Sequence, residues 1–147
     1  IWWARDAGFD YEAAFEQIPE ADGPVAPLVN LSSFAGKPRA EAEQALGASQ
    51  ACQVALHSTR CNYANRVEVV YIDGRADWIT VSFPYGRYTL EPRTLGLLGL
   101  PVSEPQTVDA SQSAWQMSWT GIKGLRSLQM VGDENGALFA RIKVSHE

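Results

Sequence analysis

Reactive side chains are few: two histidines and two cysteines in 147 residues. The sequence has no Cys-x-x-Cys, no His-Glu-x-x-His and no paired histidines, so no metal centre is expected. No glycine-rich loop follows a strand-like run, which removes the usual phosphate cradle. Basic residues are outnumbered 12 to 17 and lie scattered along the chain. That excludes the basic footprint of a nucleic-acid-binding face and the polybasic cluster that holds an anionic membrane surface. No apolar run approaches the roughly 20 residues a spanning helix needs. No cofactor, no nucleic-acid partner and no membrane insertion by this chain is therefore expected.

What is present is material for a core. Apolar residues make up 46% of the chain, as in folded globular domains, and the length fits one domain, 1–147. Ile1-Trp2-Trp3 is an apolar opening without Met, and Asp6 and Asp10 interrupt any signal peptide. Such an opening fits a mature form cut after a signal peptide or an upstream membrane anchor. Paired Trp is usual at the water-facing end of a spanning helix, while packing of Trp2 and Trp3 on the domain is the alternative. Cys52 and Cys61 are an even pair, close in sequence, which permits one disulfide; the alternative is two reduced thiols in a cytosolic protein. The processed-looking start favours the disulfide and a place outside the cytoplasm, periplasmic or secreted.

Two helices are expected in the first third. Over 10–18, Asp10 caps a stripe of Tyr11, Ala14, Phe15 and Ile18 on one face, and Pro19 ends it. "AGKPRAEAEQALG" over 35–47 marks both its ends. Pro38 suits a first helical position, Glu41 and Glu43 suit the positive end, and Gly47 suits a left-handed stop. Ala42, Ala45 and Leu46 give a narrow apolar stripe, and a helix this short needs something to lie on.

Strands follow. Residues 52–57 and 61–64 are strand material with "LHSTR" between them. "RVEVVYIDGRADWITVSF" is a hairpin around Asp73-Gly74. An even loop puts Val67, Val69 and Tyr71 on the face of Trp78 and Thr80. An odd loop, with Gly74 at positive φ, groups them instead with Ile79 and Val81, leaving Arg66, Glu68, Trp78, Thr80 and Ser82 opposite. The second grouping separates apolar from polar better and is the one expected. Asp73 and Asp77 then read as solvated carboxylates at the hairpin tip. "LEPRTLGLLGLP" is a short apolar run and "VSEPQTVDASQS" a polar connection. "AWQMSW", "GLRSLQMV" and "ALFARIKV" read as three more strands, with Leu138, Ala140, Ile142 and Val144 on one face. Asp133-Glu134-Asn135-Gly136 turns between the last two. Each half thus runs from a Leu-Gly segment through three strands to a tight acidic turn, at an offset of about 50–60 residues.

The helix at 35–47 and the hairpin after it resemble the helix-then-sheet unit of the BamE/SmpA and β-lactamase-inhibitory-protein superfamily. Gly36, Lys37, Glu41, Leu46 and Gly47 stand where its helix pattern has them. In the inhibitory proteins two such units occur in tandem, which the rhyme between halves fits. The resemblance implies a helix lying across a small antiparallel sheet, and an extracytoplasmic protein that binds another protein.

The expected fold is α+β, with short helices on one face of an antiparallel sheet of about six strands. Degenerate repeats at 31–88 and 90–145 are an option within the one domain. The expected function is non-catalytic binding of a protein partner through the uncovered sheet face. Trp78 is the leading anchor, being grouped with polar residues, and Tyr85, Tyr88, Trp115 and Trp119 complete the candidate set; Trp115 and Trp119 serve equally well as core. One rival is a carrier holding an apolar ligand between sheet and helices. Another is an enzyme using His57 and Cys61, which a disulfide would deprive of its nucleophile. His146 lies too near the chain end to anchor chemistry.

Overall fold

Runs of β-branched and aromatic residues favour extended backbone, and strand is the commonest regular structure among the described residues. The computed structural model describes residues 27–110 and 114–145. The expected helix at 10–18, Trp2, Trp3 and His146 lie outside the described residues. Eight strands form one antiparallel sheet: β1 (Ala51–Val54), β2 (Ser58–Tyr63), β3 (Val67–Ile72), β4 (Arg75–Ser82), β5 (Thr107–Ala110), β6 (Trp115–Trp119), β7 (Leu125–Asp133) and β8 (Gly136–Val144). Their order across the sheet is β1-β2-β3-β4-β8-β7-β6-β5. Each half is a four-stranded meander, and the two meanders join where β4 pairs with β8.

The α+β class is as expected, with eight strands in place of about six. The miscounted strands lie towards the sheet edges. Thr107–Ala110, expected as connection, is β5, and all four of its residues are exposed. A strand with no buried face carries no alternation to read. Ser58–Arg60, also expected as connection, opens β2, and the β1–β2 turn is centred on Leu56-His57, with the Ala55 N–H bonded to the Ser58 carbonyl at 2.8 Å.

One face of the sheet carries the helical layer. It consists of α1 (Arg39–Leu46) and two 3-10 segments, Leu31–Ser33 and Pro92–Leu98. α1 buries Ala42 and Leu46, one turn apart, while Ala45 stays exposed. Pro38 precedes the first helical residue, and Gly47 has a positive φ of 89° with extended ψ instead of the left-handed stop. The approach to α1 is tied to the central hairpin. The Gly36 N–H bonds the Ala76 carbonyl and the Ala76 N–H bonds the Lys37 carbonyl, both at 2.9 Å. Gly36 has φ +75°, and a Cβ there would lie 3.3 Å from Val144. The positive φ favours glycine, and a Cβ would in addition crowd the Val144 side chain. Beneath this layer Val69, Ile79, Leu128 and Ile142 are fully buried, each contributing about 1.5–3 kcal/mol in burial.

The central hairpin reaches the expected face grouping by a different route. The turn is the two-residue Asp73-Gly74, with Ile72 opposite Arg75 and positive φ at both positions, 54° and 81°. That is the hairpin turn whose twist matches its strands. An even loop alone would have turned Trp78 inward. The pairing then shifts: Val70 faces Trp78 while Tyr71 faces Ala76, leaving Asp77 as an extra, bulged residue. One inserted residue reverses the parity, so Ile79 and Val81 join Val67, Val69 and Tyr71 in the core.

The second meander repeats this hairpin. Asp133 faces Gly136 around Glu134-Asn135, and Val131 faces Phe139 while Gly132 faces Ala137, leaving Leu138 bulged. Ala137, not Leu138 as expected, takes the fully buried place. From β3 to β4 and from β7 to β8 the correspondence holds at a constant offset of 61 residues: Ala76 with Ala137, Asp77 with Leu138, Trp78 with Phe139, Thr80 with Arg141. Thr80 and Arg141 also face each other across the β4–β8 pair. An approximate twofold axis therefore passes between them, normal to the sheet.

Candidate functional site

The face opposite the helical layer is built from residues that alternate with the core positions. Its central row runs straight across the sheet as Asn62, Glu68, Thr80, Arg141, Gln129, Ser118 and Thr107. Every member is polar. On one side lies the row Arg60, Val70, Trp78, Lys143 and Ser127. On the other lies Ser82, Phe139, Val131, Gln116 and Asp109. The two repeat-related aromatics thus flank the centre from opposite sides, Trp78 towards Lys143 and Phe139 towards Ser82.

Trp78 is 38% exposed, and the side chain beside it is held from below. The bulge turns Asp77 inward, where it is 1% exposed, correcting its expected place among solvated carboxylates. Asp77 accepts a hydrogen bond from the Lys143 ammonium, a pairing that burial of a carboxylate demands. The same ammonium lies 5.3 Å from the centre of the Trp78 ring, within cation–π range. Arg141, at the axis, is exposed and has no acidic partner among the described residues; its guanidinium carbon stands 5.7 Å from the Phe139 ring centre. Two hollows open on this face. One, of about 320 Å³, is lined by Arg60, Glu68, Val70, Trp78, Thr80 and Arg141. The other, of about 400 Å³, includes Asn62, Arg66, Thr80 and Ser82.

The remaining candidates lie elsewhere. Trp119 shares a face with Met117 and Trp115, opposite Leu128 on the core side. It is 1% exposed, and its indole N–H bonds the Ser103 carbonyl at 2.9 Å. It is a core residue, and the expectation of a surface anchor is corrected. Trp115 is half-buried on that same side, beside Leu90 and Asp133. Tyr88 packs on the core, edge-on to Phe83 at 6.5 Å. Tyr85 is 66% exposed, and its hydroxyl accepts from the Asn135 amide at 2.5 Å, off the open face at the β7–β8 turn. Cys52 and Cys61 face each other across β1 and β2 and are bonded. Cys61 is fully buried in that disulfide while His57 stands exposed in the turn, so the pair forms no thiolate site in this structure.

A second polar cluster joins α1 to the sheet. The Tyr63 hydroxyl donates to Glu43 at 2.9 Å and shares a 2.6 Å bond with the Tyr71 hydroxyl. Arg39 donates to Glu43 at 3.0 Å and to the Cys52 sulfur at 3.3 Å. Burial, and then the bond to Tyr71, push the Tyr63 hydroxyl well above the usual tyrosine range. These hydroxyls stay protonated and serve structure.

Phe139, Arg141 and Lys143 are members of the open face that sequence reading passes over as sites. The signal was the 61-residue offset, which places Phe139 where Trp78 stands. The chain matches no family model, no curated protein and no solved structure.

Proposed function

We propose that the chain is a non-catalytic protein-binding domain that works outside the cytoplasm and docks a partner on the uncovered sheet face. The observation that carries this reading is the pair of aromatics, Trp78 and Phe139, disposed about a polar centre on a face with no helical layer over it among the described residues. Exposed Trp forfeits a burial gain of about 2–3 kcal/mol, and Trp and Arg are the residues that dominate protein interfaces. The tandem of two helix-plus-four-strand units supports the resemblance to the BamE/SmpA and β-lactamase-inhibitory-protein superfamily, and through it a partner that is a protein. The disulfide supports an oxidising compartment. The hollows on this face are lined mainly by Arg, Glu, Thr, Asn and Ser, which suits a protein surface better than an apolar small molecule.

The test is comparative capture. Wild type, Thr80→Arg on the open face and Glu41→Arg on the exposed side of α1 are immobilised and exposed to an extracytoplasmic extract. A partner retained by wild type and Glu41→Arg and lost by Thr80→Arg is expected. Identical retention by all three contradicts the reading.

A further inference from the structure

Resting on the open-face reading, we infer that the partner presents an acidic side chain, an aspartate or glutamate on an exposed loop, to the hollow between Arg60 and Arg141 beside Trp78. Charge complementarity selects this guest. The chain as a whole is acidic, with a net charge of −5. The hollow at the centre of the open face reverses that sign: two guanidiniums line it against the single carboxylate of Glu68. Lys143 adds nothing to this excess, because Asp77 neutralises it from within the sheet. That pairing instead fixes the Lys143 ammonium against the Trp78 ring and so steadies the indole wall of the hollow.

Neither arginine is committed. Arg60 reaches Glu68 only at 3.8 Å, and both side chains are well exposed, a geometry that holds little energy and is readily exchanged for a better partner. Arg141 lies over the Phe139 ring and has no acidic partner among the described residues. A guanidinium presents a planar fork that matches a carboxylate with two parallel hydrogen bonds. The twofold pattern shows what is specific to this position. At the repeat-related place β4 carries Thr80, which is uncharged. The hollow of about 320 Å³ has room for one or two side chains and not for a folded segment, so the guest is the tip of a loop.

The probe is a displayed library of random twelve-residue peptides, selected on the immobilised full chain. The selected peptides are then rebound to Arg141→Glu, Arg141→Lys and Trp78→Ala, each first shown by its melting curve to be folded. The expected result is enrichment in Asp and Glu and weakening by about tenfold or more on Arg141→Glu, as for a charged interface anchor. Loss on Arg141→Lys should be smaller, since the charge stays and the fork goes, and binding should fall as salt rises. Peptides that lose binding on Trp78→Ala but are neutral or basic, or indifferent to Arg141→Glu, overturn the inference and leave the open-face reading standing. Recovery of no peptide, or only of peptides that none of the three variants affects, overturns both.

Discussion

Asp77 shows how one side chain sets the chemistry around it. Its carboxylate is 1% exposed and bonded to Lys143, and the corresponding bulge of the second meander holds Leu138. The fold therefore tolerates either an ion pair or an apolar residue at this place. Lys143→Met removes the ammonium bonded to a buried carboxylate, and such losses cost about 3–5 kcal/mol. Combining it with Asp77→Leu is expected to recover most of that stability, because no buried charge is then left and the bulged position carries the residue of its counterpart, Leu138. Urea midpoints of the two variants check this; a double variant as unstable as Lys143→Met contradicts it. Glu43 gives a pH dependence. The hydrogen bond from Arg39 holds its carboxyl below the usual glutamate range. A group whose folded pKa is depressed adds stability above its unfolded value, about 4.3, and loses it as pH falls through the folded value. Wild-type stability is therefore expected to drop between about pH 4.3 and lower values, and Glu43→Gln to flatten part of that drop. Denaturation curves of both proteins across that window give the comparison.

At the scale of elements, the central hairpin was legible as to its faces and not as to its turn. Alternation alone separates Val69 and Ile79 from Glu68 and Thr80, because burial of one face imposes a period of two. The same alternation cannot distinguish an odd loop from an even loop followed by a bulge, since both shift parity by one. Nor could it see β5, whose exposed residues Thr107–Ala110 answer only to backbone pairing with β6. Trp119 and Tyr85 illustrate the remaining gap: composition marks both as candidate anchors, and only tertiary packing sends one into the core and the other to the β7–β8 turn. Two outcomes are expected for these elements. Gly74→Val forces a β-branched residue to φ +81° in open space, so its cost is conformational, about 1–3 kcal/mol, read from the shift in denaturation midpoint. A midpoint equal to wild type contradicts the two-residue turn. Cys52→Ala/Cys61→Ala frees β1, an edge strand held by one neighbour, and is expected to cost about 2–3 kcal/mol for so short a loop. Alkylation of the unreduced protein in denaturant, followed by mass measurement, should label no thiol; two labelled thiols contradict the disulfide.

On the scale of the whole molecule, two meanders pooled into one sheet give an eight-stranded face that neither half could present alone. Pairing β4 with β8 brings Trp78, Arg141 and Phe139 together from sequence positions about sixty residues apart. It also buries what would otherwise be two hairpin edges, which a solitary meander would leave open to aggregation. The helical layer covers one side and, among the described residues, leaves the other uncovered. Everything proposed for this second side requires it to be open to solvent. Iodide quenching of tryptophan fluorescence tests it most directly, comparing wild type with Trp78→Phe so that the difference isolates one of the five indoles. With an open face the Trp78 component is expected to be readily quenched, the neighbouring Arg141 drawing the anion to it. A Trp78 component fully protected from iodide in the isolated protein would contradict the open face and place Trp78 in the core.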